Sequence, residues 1–151
     1  MKILLIDPPW YTLQNICAAT VSLGLASIAG VLEARGHEVH IFNGDLYTTQ
    51  GCGGELSRNR SIPALRDEHP AYRRLRMVLR QICPEAVGIT SMTAEFPSAC
   101  TIARIVREEH DAVPIVIGGV HPTLVPEEVI AHDQFDYIVI GEVEETAVEL
   151  F

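Results

Sequence analysis

The chain has 151 residues, 48% of them apolar, with a net charge of −9. That is the length of one ordinary domain, with apolar content far from that of a disordered chain. The acidic balance argues against nucleic acid as a partner, and no apolar run approaches the ~18 residues of a membrane span. The first residues, Met1-Lys2-Ile3-Leu4-Leu5-Ile6, give way at once to Asp7 and two prolines. This run is too short for a secretory leader and has no small-residue cleavage site, so the cytoplasm is the expected location and no membrane partner is expected.

Short β-branched runs alternate with helical patterns along the chain, as in βαβ units around a parallel sheet. Ile3–Asp7 reads as the first strand, apolar enough for burial on both faces. A helix is expected over Ser22–Arg35, with Leu25, Ile28, Ala29 and Leu32 on one face and Gly36 as its terminator at positive φ. Glu38–Phe42 is the second strand. Residues 43–67, with Gly51-Cys52-Gly53-Gly54 and many polar side chains, read as an irregular excursion reaching to about residue 70. The next helix spans Ala71–Ile82, with Tyr72, Leu75, Leu79 and Ile82 inward, and Ala86–Thr90 is the third strand.

Pro97–His110 is the third helix, with Ala99, Ile102, Ala103 and Val106 on its inner face. Ile115–Ile117 is the fourth strand and runs into Gly118-Gly119. Pro126–Ala131 is a short helix whose proline suits the first helical position and whose Glu127 and Glu128 suit the dipole. Tyr137–Ile140 is the fifth strand, and Gly141 opens a last helix. The result is a doubly wound α/β fold: a five-stranded parallel sheet, flavodoxin-like or Rossmann-like, in the order 2-1-3-4-5 with helices on both faces. The helical pattern still runs at Glu149-Leu150-Phe151, which suggests an excised fragment or a polypeptide that normally continues.

Charge is unevenly spread. Residues 58–80 hold seven of the eleven basic residues, and from Glu108 onward there are eleven acids and no Lys or Arg. The basic stretch reads as a solvated helix face or as a docking surface for a further domain. Cys17, Cys52, Cys83 and Cys100 are too far apart in sequence to pair as metal ligands and read as reduced thiols. There is no CxxxCxxC, hence no sequence-local site for a four-iron cluster. His37 and His40 would point to opposite faces of their strand and make no metal pair.

In such sheets ligands bind beyond the carboxyl ends of the strands. Four segments converge there: Asp7-Pro8-Pro9-Trp10, Ser91-Met92-Thr93-Ala94-Glu95-Phe96, Gly118-Gly119-Val120-His121-Pro122-Thr123 and Gly141-Glu142-Val143-Glu144. The first loop has no GxGxxG, which disfavours a dinucleotide. Its prolines lack the N–H groups that would wrap a flavin phosphate. The third strand ends in Thr90-Ser91 where a phosphoacceptor domain would carry Asp.

The run Gly118-Gly119-Val120-His121-Pro122-Thr123, then Pro126-Glu127-Glu128, then Asp136-Tyr137-Ile138-Val139-Ile140-Gly141-Glu142-Val143-Glu144-Glu145-Thr146, resembles the cobalamin-binding domain of radical S-adenosylmethionine proteins. The family pattern is GGxHxT, PEE and D-x-V-x-GEGE. Asp7-Pro8-Pro9, the stretch from Gly24 to Val39, and Val87-Gly88-Ile89-Thr90-Ser91-Met92-Thr93 match as well. Val143 stands where the family has a second Gly. The DxHxxG motif of methionine-synthase-like domains is absent, with Pro9 at the position of its His.

The resemblance implies cobalamin bound base-off, with no protein His on cobalt. The expected cofactor-binding residues are Asp7, Pro8, Trp10, Ser91, Met92, Thr93, Phe96, Gly118, Gly119, His121, Gly141 and Glu142. Gly118 and Gly119 would clear space for a flat base, with Gly119→Val expected to block it and spare the fold. Trp10 and Phe96 would wall the corrin, and no metal ligand and no catalytic residue is expected in the chain. The resemblance further implies a downstream radical S-adenosylmethionine domain as partner. That domain would carry the 4Fe-4S cluster and S-adenosylmethionine, with methyl transfer or radical rearrangement as the parent activity. The competing expectation is a domain that has lost cobalamin and serves for docking or dimerisation.

Overall fold

A computed structural model describes residues 1–10, 22–46 and 69–150. Cys17, Cys52 and most of the excursion expected over 43–70 lie outside the described residues. Five parallel strands form one sheet in the order β2-β1-β3-β4-β5: β1 Lys2–Asp7, β2 Glu38–Asn43, β3 Ala86–Thr90, β4 Ile115–Gly118 and β5 Tyr137–Ile138. The helices are α1 Leu23–Glu33, α2 Pro70–Ile82, α3 Phe96–Glu109, α4 Val120–Leu124, α5 Pro126–Ile130 and α6 Glu144–Leu150, with a 3-10 turn at Thr93–Glu95.

Strand β1 is central and its side chains alternate between two cores. Leu4 and Ile6 join residues of α2, α3 and α5, including Leu75, Leu79, Ile102, Val106 and Val129. Ile3 and Leu5 join Leu25, Ala29 and Leu32 of α1 and Ala147 of α6. The expected inward faces are observed: Leu25, Ala29 and Leu32 on α1, Tyr72, Leu75 and Leu79 on α2, and Ala99, Ile102, Ala103 and Val106 on α3 are all buried. Gly36 follows α1 at φ +89°. At the start of α2, Pro70 takes the first helical position and the His69 imidazole accepts a bond from the Ala71 N–H.

The structure adds one helix that the sequence pattern does not announce. Val120–Leu124 is α4, a stretch that contains Pro122 and for which no element is expected. The proline is admissible because it sits in the first turn, where its missing N–H has no intrahelical carbonyl to meet. Strand β5 is shorter than expected. Its ladder bonding ends with Val139 N–H donating to Ile117 O at 2.9 Å, and Ile140 turns outward at 57% exposure.

Much of the basic stretch that falls on α2 is spent on α3. Arg76 reaches Glu108 and Glu109, and Arg80 grips Glu109 with two bonds of 2.7 and 2.9 Å. These ion pairs hold the Glu109 carboxyl down at about pH 2 in its titration, through the Arg80 bonds first. A second tie centres on Arg107 of α3. It donates to the carbonyls of Asp111, Val113 and Gln134 and to the Asp136 carboxylate. Asp136 in turn accepts from the Ile115 N–H at 2.6 Å, so one guanidinium joins the end of α3 to the entries of β4 and β5. Arg107→Ala should cost about 2 kcal/mol, because it strands these carbonyls and one carboxylate at a partly exposed site. Urea denaturation checks this; an unchanged midpoint would show that the network carries no net stability.

Candidate functional site

The carboxyl edge of the sheet is built from short, mutually bonded turns. After β1, the Gly44 N–H donates to Asp7 O at 2.9 Å, and the Pro9 ring lies on Gly44 so closely that a Cβ there would stand 2.5 Å from it. The Trp10 N–H donates to the Asp45 carboxylate at 3.1 Å. Asp45 N–H donates to Asn43 Oδ1 at 2.9 Å, and Asn43 Nδ2 donates to Asp7 Oδ2 at 3.3 Å. After β3, the buried Glu95 carboxylate accepts from the Met92 N–H at 3.1 Å. Burial, then the charges of Glu95 and Asp45, pushes the Asp7 carboxyl up to about 6. Burial raises Glu95 too, with the Met92 N–H bond opposing.

Beside this acidic corner lies an apolar cavity of about 230 Å³, on the α1–α6 face of the sheet. Gly88 and Gly118 form part of its floor, Leu25 and Ile28 of α1 one wall, and Val139, Val143 and Ala147 another. Ser22, Gly24, Thr90, Gly119, Gly141 and Glu142 also line it. The glycines have different reasons to be there. A Cβ on Gly118 would find Val143 Cγ2 at 3.7 Å and Val139 at 3.8 Å, ordinary contacts, so its absence simply leaves space. A Cβ on Gly88 would stand 2.8 Å from a Leu5 methyl. Gly119 has φ +105°, and a Cβ would lie 2.9 Å from Ser91 O and 3.0 Å from Ser91 N. The expectation that Gly119→Val spares the fold is therefore corrected: this residue is glycine because the backbone crosses Ser91 here in a left-handed conformation.

The crossing is bonded. Ser91 N–H donates to Gly118 O at 2.9 Å and His121 N–H donates to Ser91 O at 3.0 Å. Ser91 is fully buried, and its hydroxyl donates to Met92 O within its own turn. Gly118, Gly119, Gly141 and Glu142 thus meet at the cavity, while Asp7 ends β1 and Pro8, Trp10, Ser91, Met92 and Thr93 lie in the turns that follow β1 and β3 at the same edge.

Phe96 and His121 sit elsewhere. Phe96 belongs to the core on the α2–α3 face, and His121, 2% exposed, stacks on it with ring centres 4.2 Å apart. His121 Nδ1 is 3.4 Å from Thr93 Oγ1, and Nε2 is 3.9 Å from a Glu128 oxygen with no hydrogen-bond partner. Among the described residues, no three His, Cys, Asp or Glu side chains gather as metal ligands. Cys100, beside His132, is pushed up to about 11 by burial and by Glu128, which keeps it a thiol.

Sequence reasoning missed Gly88, Thr90 and the α1 residues of the cavity. A signal existed for Gly88, since a glycine inside a central strand marks a void or a close approach. It offered none for Ser22 and Gly24, which reach the cavity only through the way α1 packs.

The B12 binding domain family matches residues 13–151. The chain belongs to that family. As a B12 binding domain it is similar to an uncharacterized methyltransferase of Pyrococcus horikoshii, 29% identical over 153 residues. It is also similar to an anaerobic magnesium-protoporphyrin IX monomethyl ester cyclase of Synechocystis, 26% identical over 155 residues. The matches take in 99% of this chain but only 28% and 27% of those relatives' lengths. No helix among the described residues is long and apolar enough to cross a membrane.

The acidic corner of this B12 binding domain yields a stability prediction. Asp7 is raised from 3.8 to about 6, so the folded chain holds a proton that the unfolded chain loses between those values. Stability should therefore be highest below about pH 4 as far as Asp7 is concerned, and fall as pH rises through about 6. The shift corresponds to roughly 3 kcal/mol at full effect, which solvent screening at this partly exposed carboxyl reduces to about 1 kcal/mol. Asp7→Asn, which keeps the shape and the Asn43 contact, should flatten this slope and gain that amount at pH 7. Thermal unfolding from pH 4 to 8 measures it; a parallel pH profile in the variant would refute the assignment.

Proposed function

We propose that this chain holds cobalamin for a radical S-adenosylmethionine enzyme of which it is one domain. The observation that carries the reading is the glycine-floored apolar cavity on the α1–α6 face. Its volume, about 230 Å³, is below the ~300–1,000 Å³ that encloses a whole drug-sized ligand, so it suits a single flat ring system rather than an entire corrinoid. The nucleotide tail of cobalamin offers such a ring. Gly88 and Gly118 would lie under it, Leu25, Ile28 and Val143 beside it, and Gly119, Gly141 and Glu142 at its entrance. The corrin would then stay outside, over the carboxyl edge, above Asp7, Pro8, Trp10, Ser91, Met92 and Thr93.

Two features support a base-off cofactor without a protein ligand on cobalt. Pro9 occupies the position where a ligating His would stand after β1, and proline has no donor atom to offer. His121 lies under Phe96 in the core. When bound, cobalamin supplies methyl-transfer or radical chemistry; the chain's own residues position it and keep water from its tail. The four-iron cluster and S-adenosylmethionine belong to the downstream domain in this reading. The similarity to an uncharacterized methyltransferase and to a cyclase, and the small share of their lengths that this chain spans, support a parent enzyme of that kind.

The test is absorbance titration with hydroxocobalamin, on the chain and on its parent polypeptide. A base-off spectrum is expected, unchanged in His121→Ala. Gly118→Val should fold and lower cobalamin affinity at least tenfold, because its methyls would occupy the cavity without backbone strain. Gly119→Val should lose stability instead, by a few kcal/mol. Absence of binding in both polypeptides, or a His-on spectrum that collapses in His121→Ala, would overturn the proposal.

A further inference from the structure

The walls of the cavity are not held equally. On the β4 side the backbone is fixed twice, by Ser91 N–H on Gly118 O and by His121 N–H on Ser91 O. On the β5 side the sheet bonding stops at Val139, whose N–H donates to Ile117 O. The bond that follows along the chain in the helix is Ala147 N–H to Val143 O at 2.7 Å. Gly141, Glu142 and Val143 lie between these two points, and all three line the cavity.

One hydroxyl spans this gap. Thr123 Oγ1 donates to Gly119 O at 2.8 Å and accepts from the Gly141 N–H at 3.1 Å. The geometry follows from α4 being a short helix whose N-cap is Gly119. Thr123 is four residues on, so its hydroxyl folds back onto the carbonyl of Gly119, as threonines on helices do. A lone pair of the same oxygen then faces the Gly141 N–H. Gly141 holds this direction at φ +83°, a conformation that glycine adopts at little cost.

We propose that Thr123 is a positioning residue for the cavity: it transmits the fixed position of the β4 turn to the Gly141–Val143 wall and so sets the width of the slot. The inference rests on the cobalamin reading for the nature of the occupant. Val143 stands 3.7 Å from the space that a Cβ on Gly118 would take, so a shift of this wall of even a fraction of that distance changes the room for a flat ring. Thr123 itself touches neither the corrin nor the tail; it acts through Gly141.

The experiment compares Thr123→Val, which keeps the shape and loses both bonds, with Thr123→Ser, which keeps the hydroxyl. Two corrinoids serve as probes in absorbance titrations: cobalamin, and cobinamide, which has the same ring without the nucleotide tail. Thr123→Val should weaken cobalamin binding about fivefold to tenfold, the effect of one hydrogen bond, and leave cobinamide binding unchanged. Thr123→Ser should restore cobalamin binding. In the ligand-free chain, amide exchange at Gly141 should be faster in Thr123→Val than in the wild type and Thr123→Ser.

Equal loss of both corrinoids in Thr123→Val, wild-type cobalamin affinity in that variant, or failure of Thr123→Ser to rescue would each overturn the proposal. So would unchanged exchange at Gly141. Failure of both the wild-type chain and its parent polypeptide to bind either probe defeats the cobalamin reading instead, and is seen before any variant is made; the exchange comparison then still decides whether Thr123 holds the wall.

Discussion

A strand paired in parallel on both edges and covered on both faces has no side chain left for water, and β1 meets that condition. Ile3, Leu4, Leu5 and Ile6 are at most 2% exposed, shared between a core on the α2–α3 face and a smaller one on the α1–α6 face. The need to bury both faces dictates the rest. Each crossover must return over a face as a helix, and every strand must then end at the same edge of the sheet. Asp7, Thr90 and Gly118 are brought together at that edge because no other arrangement lets the apolar strands pair.

The two faces are covered unequally, and function is argued from the difference. On one face α2, α3 and α5 close over the sheet with a large core that includes Tyr72, Phe96 and Ile102. On the other, α1 and α6 meet a sheet surface from which two side chains are missing, those of Gly88 and Gly118, and a cavity remains. An unfilled apolar space forfeits dispersion contacts that a larger residue would supply. The chain retains it beside a rim of polar turns, which is the form of a ligand site.

Electrostatics separates these regions. The acids Asp7, at the end of β1, and Asp45 and Glu95, after β2 and β3, are gathered at one edge, where Asp45 raises the cost of ionising Asp7 and Glu95, and Glu95 that of ionising Asp7. Among the described residues, the apolar cavity next to them carries only Ser22, Thr90 and Glu142 as polar side chains. The basic residues Arg76, Arg80 and Arg107 are engaged with acids and carbonyls of α3 and of the β4 and β5 entries, so in them charge mainly fastens helix to helix and helix to sheet.

The sequence by itself determined the alternation of the five strands with the longer helices, and with it a parallel sheet, because burial periodicity and glycine or proline punctuation are local properties of the chain. Leu25, Ala29 and Leu32, or Ala99, Ile102 and Val106, announce their buried faces by spacing alone. The edge of the sheet on which Gly118, Gly141 and Asp7 meet was legible for the same reason. What only the tertiary structure decided was the role of each residue at that edge. Gly118 and Gly119 are adjacent and identical in sequence, yet one leaves space and the other crosses a backbone at positive φ. His121 and Phe96 carry the polar and aromatic groups expected of a site, but they stack on each other in the opposite core. Thr123 gives no sign of spanning eighteen residues to Gly141. These outcomes depend on distances between segments remote in sequence, which composition and periodicity do not encode, and the packing of α1 and α6 on the sheet fixes them.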